Sequence, residues 1–189
     1  MNDTDAELQR LAPKAVRGDR RALKEIIRLI YPLVLRYARA RIGGGKTPTP
    51  EDVAQETCLA VATSIGRYHE RGRPFMAYVY SIAFNKVADA HRAMSRDKSL
   101  PTEEVPERGF HPNTPELAAL AQDGSNRVRA LLDSLGDKAR DIVILRVIVG
   151  LSAEETAAAV NSTPGAVRVA QHRALAKLRD LVQRGEDDG

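Results

Sequence analysis

The chain has 189 residues, enough for two small domains, and its 29 Lys and Arg against 25 Asp and Glu give a formal net charge of only +4. One cysteine, Cys58, excludes an intramolecular disulfide and reads as a small core residue. No apolar run approaches the roughly 18–20 residues that cross a bilayer, and the opening MNDTDAELQR lacks the form of a signal peptide, so a cytoplasmic protein without membrane insertion is expected. The distribution of charge says more than its sum. Residues 1–98 carry 18 basic and 11 acidic side chains and residues 125–185 carry 10 and 6, whereas residues 99–124 carry 1 and 5 and the last four residues add three more acids. Two basic blocks around an acidic stretch suit folded parts that meet a polyanion while their connection stays off it.

Apolar residues recur at helical spacing and no alternating β-branched run stands out, which predicts an all-α fold. Thr4 with Glu7 forms a capping-box pattern for a first helix that ends at Gly18, and Asp19 caps a second reaching about Ile42. Pro13 and Pro32 are expected to kink these helices. Gly43 to Gly45 and TPTP interrupt the chain before Thr49, Pro50 and Asp52 start a third helix to about Ile65. A loop from Arg67 to Pro74 leads into a fourth helix, Phe75 to about Ser95, and completes a four-helix unit over residues 1–98. Pro101, Pro106, Pro112 and Pro115 mark residues 99–124 as a flexible acidic linker, whose extended length is about 85–95 Å at roughly 3.3–3.6 Å per residue.

The second unit, residues 125–185, opens near Asn126 with Val128, Leu131, Leu132 and Leu135 on one face. A helix from Asp137 to Val149 follows and Gly150 ends it. Ser152 and Glu155 box the start of a short helix, Ala153 to Val160, and Asn161 and Ser162 make a turn. Thr163 and Pro164 open a last helix with Val167, Ala170, Ala174 and Leu178 buried. This is a helix-turn-helix pattern, whose second helix enters the major groove. Arg168, His172 and Arg173 lie opposite the buried stripe, where they can reach base edges or phosphates; an amphipathic helix with solvated arginines has the same pattern.

On the Phe75 helix, Ser81, Asn85, Asp89 and Arg92 fall in one polar stripe. The preceding RYHERGRPF interleaves Tyr68, His69 and Phe75 with Arg67, Arg71 and Arg73. Rings that stack bases among cations that hold phosphates are what single-stranded nucleic acid requires; Tyr68 and Phe75 fit core positions equally well, and Asp89 fits an ion pair with Arg92.

GDRRALKEIIRLIYPLVLRYAR, EDVAQE and RPFMAYVYSIAFNKVADAHR resemble, in order and spacing, the second conserved region of extracytoplasmic-function (ECF) sigma factors of the sigma-70 family. LGDKARDIVILRVIVGLSAEETAAAVNSTPGAVRVAQHRALAKLRDL resembles their fourth region, so the likeness covers about three-quarters of the chain and is greatest to the actinobacterial D-type branch. The resemblance implies a factor that binds RNA polymerase core, recognises and melts promoters and starts transcription. Its first domain would take the minus-ten element, with contacts at Tyr68, His69, Arg71, Arg73, Phe75, Ser81, Asn85, Lys86, Asp89 and Arg92 holding an extruded base and its strand. Its second would take the duplex minus-thirty-five element through Thr163, Arg168, Val169, His172 and Arg173. Asp52, Gln55 and Glu56 would dock on the clamp helices of the largest polymerase subunit, with the flap of the second-largest as a further contact and an anti-sigma factor as a further partner. The family's usual tryptophan in the Phe75 helix is Tyr78 here, and Val169 and Ala170 offer only apolar contact to a base.

Two other readings compete. GGGKT at residues 43–47 has the end of a phosphate-binding loop, but the first glycine of that motif would fall on Ala40, the segment before it is helical, and TPTP stands where its helix should begin. Neither the four histidines nor any Ser, His and acid grouping has catalytic or ligand spacing, so no catalytic site, metal or cofactor is expected. A free-standing helix-turn-helix regulator of duplex operators would account for the second unit but leaves EDVAQE and the aromatic, arginine-rich loop without a role.

Overall fold

A computed structural model describes residues 3–42, 47–69, 74–97 and 127–187 of the chain. Their regular structure is helical, joined by short turns, with no strand among the described residues. The expected linker, residues 43–46 and the 70–73 part of the loop lie outside them.

Helices α1 (Asp3–Val16), α2 (Arg20–Arg41), α3 (Pro50–Ser64) and α4 (Phe75–Asp97) build the first unit, with a 3-10 turn, Ile65–Arg67, after α3. Gly18, at φ 92°, turns the chain out of α1. Asp19 then caps α2, its carboxylate accepting from the Arg21 and Ala22 amides at 2.8 and 3.1 Å. Thr4, by contrast, falls inside α1 rather than at its cap, and Glu7 is taken up by Arg10 one turn on at 2.5 Å. Pro13 and Pro32 both lie within helices. Along α2, Ala22, Ile26, Ile30, Val34, Tyr37 and Ala38 form one buried stripe, the seam on which α1, α3 and α4 close. Each large side chain buried there contributes roughly 1.5–3 kcal/mol. Cys58 on α3 lies in the same core, where burial pushes its thiol up to about 11.

The second unit comprises α5 (residues 127–133), α6 (Asp137–Val143), α7 (Ala153–Ala159) and α8 (Pro164–Asp187). The helix predicted from Asp137 to Val149 passes after Val143 into a π-helical turn, Ile144–Val149, closed by Gly150 at φ 88° and the Leu151 amide on the Leu145 carbonyl at 2.9 Å. Ser152 and Glu155 form the expected capping box of α7, and Asn161, at φ 49°, makes the tight turn before α8. Of the face predicted for α5, Leu132 and Leu135 are buried, Leu131 is half-buried and Val128 is 52 % exposed. The apolar spacing is correct for a helix, but a helix of two turns presents only its end to the core.

The two units pack against each other. α7 lies on α4, the π turn lies on α2, and a polar cluster joins α2 to α6. Tyr37 Oη donates to Asp141 Oδ1 at 2.7 Å, and Arg41 Nε lies 2.7 Å from the same oxygen. The Arg41 and Asp141 side chains are 4 % and 1 % exposed. Burial holds the Asp141 carboxyl above the usual carboxylate range, against the pull of Arg41 and Tyr37. His91 of α4 sits at the edge of this cluster with its Nε2 buried and without a protein partner. Burial first, and then the Arg41 charge, push it below its ordinary value of 6.5; Arg140 acts in the same direction and Asp137 against it. A histidine held neutral by folding contributes stability above its unfolded-state value, and that contribution is lost as pH falls through it. Thermal melts should therefore show the wild-type chain losing more stability than His91→Gln between pH 7 and 5.5, and identical pH slopes would remove His91 from the account.

Candidate nucleic-acid interface

α4 presents its polar stripe as expected. Asn85, Asp89 and Arg92 are exposed and Ser81 is half-buried, while Phe75, Val79, Ala83, Val87 and Ala90 face the core. Asp89 and Arg92 form an ion pair one turn apart, which between exposed groups contributes about 0–1 kcal/mol and yields readily to a phosphate. Lys86 is held by Glu56 of α3 at 3.0 Å, so one bridge joins a residue expected to face DNA to one expected to face the polymerase. The Ser81 hydroxyl donates to the Tyr78 carbonyl at 2.7 Å and keeps its oxygen as an acceptor.

At the head of α4 three aromatic rings meet. Tyr68 stands edge-on to Phe75 with centroids 5.1 Å apart, and Tyr78 lies 5.1 Å from Tyr68 and 5.8 Å from Phe75. Phe75 is 2 % exposed, so it belongs to the core and supports the two tyrosines; of its two sequence readings the core position is the one realised. Tyr68 and Tyr78 are half-buried, and with Arg67, His69, Ala77 and Ser81 they line a cleft of about 600 Å³, large enough for one nucleobase. His69 donates from Nδ1 to the Arg67 carbonyl at 2.7 Å, which orients the ring at the cleft. Arg71 and Arg73 lie outside the described residues. Tyr78 is the addition to the predicted set: its hydroxyl shares a 2.6 Å hydrogen bond with Ser64 of α3, which fixes the ring. The signal for it was its place one helical turn after Phe75, the spacing at which rings on one face meet.

α3 starts at the expected residues, Thr49, Pro50 and Asp52, and the structure adds that Thr49 and Asp52 close a capping box. Thr49 caps the Asp52 amide at 3.1 Å, and Asp52 Oδ2 accepts from the Thr49 amide and hydroxyl at 2.9 and 2.8 Å, which lowers the Asp52 carboxyl below its usual range. Asp52 therefore serves the fold as well as the surface. Gln55 and Glu56 are exposed beside it, and Leu59, 64 % exposed, continues the row at helical spacing. Sequence spacing alone could not separate Leu59 from a core position.

On α8, Val167 and Ala174 are buried and Ala170 and Leu178 half-buried, so the opposite face carries Arg168, Val169, His172 and Arg173, all exposed. Thr163 accepts from the Ala166 amide at 3.2 Å and starts the helix. Arg168 Nη2 meets Glu154 of α7 at 2.6 Å, with both side chains 60 % exposed; hydrogen bonding to its own backbone amide first, and then to that arginine, lowers the Glu154 carboxyl. Arg146 on the π turn donates to Gln171 Oε1 at 3.0 Å and to the Leu151 carbonyl, which locks the turn region to α8 and fixes its angle. Among the described residues no group of three His, Cys, Asp or Glu could hold a metal ion, and no helix is long and apolar enough to cross a membrane.

Residues 26–97 match the sigma-70 region 2 family and residues 125–178 match sigma-70 region 4. The chain is 54 % identical to the ECF RNA polymerase sigma factor SigD of Mycobacterium tuberculosis over 177 residues, 93 % of this chain and 84 % of that protein. It is 42 % identical to the ECF RNA polymerase sigma factor ShbA of Streptomyces griseus over 188 residues, covering 96 % and 98 %. Among solved structures, CnrH in complex with the cytosolic domain of CnrY is similar with a TM-score of 0.72 at 26 % identity, over 96 % of this chain and 99 % of that one.

Proposed function

The chain belongs to the ECF sigma factors of the sigma-70 family and directs RNA polymerase to promoters, and from that premise we propose how its surfaces divide the work. Residues 1–98 take core polymerase and the minus-ten element, 99–124 are the linker, 125–185 take the minus-thirty-five element, and 186–189 are an acidic tail. The exposed row Asp52, Gln55, Glu56 and Leu59 seats on the clamp helices of the largest subunit, and residues 125–185 also meet the flap of the second-largest. The protein acts in the cytoplasm and supplies recognition and strand capture rather than bond chemistry.

The observation that carries the reading is the Tyr68–Tyr78 cleft at the head of a helix whose exposed face is polar. A base leaving the duplex loses stacking, and two half-buried tyrosines over a closed phenylalanine return it. Ser81 offers an acceptor and His69 a polar ring at the cleft, while Asn85, Lys86 and Arg92 follow the strand along α4. In the second unit Arg168, His172 and Arg173 enter the major groove, with Val169 against a thymine methyl.

Run-off transcription by purified core polymerase on genomic promoter fragments tests the whole assignment: defined transcripts should require this protein, and their absence together with failure to co-purify with core would return the free-standing regulator. Tyr78→Ala should weaken holoenzyme binding to a single-stranded promoter oligonucleotide about 5- to 150-fold, the worth of roughly 1–3 kcal/mol for one stacked base. Tyr78→Phe, which keeps the ring and loses only the Ser64 bond, should stay within about threefold. Equal losses in both would assign Tyr78 to packing instead.

A further inference from the structure

The whole chain has a net charge of +4, and one corner of the first unit holds that excess by itself. Residues 14–24 carry Lys14, Arg17, Arg20, Arg21 and Lys24 against a single acid, Asp19. All five cations are exposed around the Gly18 turn that joins α1 to α2. None of them lies within ion-pair distance of an acid among the described residues. Asp19 is occupied, its carboxylate taken by the Arg21 and Ala22 amides. Elsewhere on this unit Arg10, Arg28, Arg39, Lys86 and Arg92 each meet a carboxylate. Like charges one turn apart, as Arg20 and Lys24 are, repel and work against the helix that carries them. An anion seated among them relieves that repulsion, and phosphates are the anions this unit is already placed to meet.

The helices put this corner on the path of a strand. Tyr80 of α4 lies against α2 at Leu33 and Tyr37, and further along α4 His91 stands beside Arg41, so the two helices run the same way. Counting back from Tyr80, the head of α4 and its aromatic cleft fall level with about residues 28–32 of α2. Lys24 and Arg21 continue past that level by about 5–15 Å at 1.5 Å per residue. α1 packs on the 3-10 turn that carries Arg67 of the cleft wall, and Lys14 and Arg17 follow it to the Gly18 turn. A strand bound at the cleft has two ways to leave it, along α4 toward Asn85 and Arg92 or off the end of the unit across this corner. The second way spans about two to four stacked nucleotides at 3.4 Å each.

We propose that Lys14, Arg17, Arg20, Arg21 and Lys24 form a phosphate track that holds the single strand where it leaves the Tyr68–Tyr78 cleft on the side away from the polar stripe of α4. This inference rests on the assignment of that cleft to single-stranded DNA. Residues 14–24 contain no aromatic ring to stack a base, so the track holds backbone without reading sequence. It adds affinity and salt dependence rather than base preference, and it lengthens the stretch of open strand that the protein keeps from re-pairing.

The test uses holoenzyme assembled from the full chain and three fluorescent single-stranded promoter oligonucleotides. One is confined to the minus-ten element, and two extend it by about eight nucleotides on one side or the other, within the range that a single-strand surface covers. Arg17→Gln, Arg21→Gln and Lys24→Gln are combined, since these side chains are exposed and glutamine keeps their helix propensity. The triple variant should bind the short probe and one extended probe as wild type does. It should bind the other extended probe at least about tenfold more weakly at low salt, with a salt slope shallower by about 2, the worth of three single-strand phosphates. Arg17→Lys with Arg21→Lys, which keeps the charges, should bind all three probes as wild type does. Wild-type binding of every probe by the triple variant leaves the corner solvated and overturns the track. An equal loss on all three overturns it too, because the cations then act on the cleft itself. Weaker assembly with core polymerase, read by titration without DNA, gives the corner to an acidic protein surface instead. Tyr78→Ala separates premise from inference. If it weakens the probes and the triple variant does not, only the track falls; if the triple variant alone shows the loss, the corner still binds the strand and the cleft assignment falls.

Discussion

Gln55→Arg is expected to weaken binding to core polymerase about 30-fold or more while leaving the fold unchanged. Gln55 is exposed at the centre of the α3 row, flanked by Asp52, Glu56 and Leu59. Central positions of an interface dominate its energy, and losses of 2 kcal/mol or more are usual there, which is about 30-fold in affinity. An anionic, amide-bearing row selects a basic partner surface, so a new arginine adds repulsion to the lost contact. Arginine and glutamine have nearly equal helix propensity, and the melting temperature should move by no more than about 1 °C. Titration of labelled protein with core polymerase reads the first quantity and calorimetry the second. Wild-type affinity would place the docking face elsewhere. Asp52 is a poorer probe, because its carboxylate closes the capping box with Thr49 and its loss costs about 1 kcal/mol of stability as well.

Arg168→Ala should lower holoenzyme affinity for promoters that depend on the minus-thirty-five element by about 5- to 150-fold, the loss of roughly 1–3 kcal/mol for a bidentate base contact. Arg168 is bound to Glu154 in the structure, yet both groups are mostly exposed, so exchanging that carboxylate for DNA costs about 0–1 kcal/mol. The pattern across promoter variants separates two roles. If Arg168 reads guanine, the substitution relaxes preference at one base pair; if it holds a phosphate, affinity falls uniformly and the salt dependence becomes shallower by about one counterion. Binding and preference both unchanged would move recognition from Arg168 to His172 and Arg173.

The parts of this molecule that were legible in its sequence are those decided by neighbours in the chain. Asp19, the Ser152–Glu155 box and Gly150 start and stop helices through atoms within one turn and appear as read, and α3 starts at Thr49 and Pro50 as read. The exposed face of α8 follows equally from the burial of Val167 and Ala174. What escaped depends on distant segments. The π turn at Ile144–Val149 continues the apolar pattern of a helix, and nothing in six aliphatic and basic residues announces the extra residue in its turn. Tyr37, Arg41 and Asp141 read singly as an aromatic core residue and two surface charges, because only the packing of α2 on α6 makes them one cluster. Phe75 could be given to the core or to DNA until its neighbours closed over it.

Cys58 gives the chain an internal clock. At neutral pH a thiol raised to about 11 is ionised to only about one part in ten thousand, and this one is also walled into the α2–α3–α4 core. Peroxide and alkylating reagents act on the thiolate, so while that core stays shut the protein's single sulfhydryl takes no part in oxidant sensing. Its rate of labelling then counts the moments at which the first domain comes apart, as distinct from the moments at which the two domains merely separate.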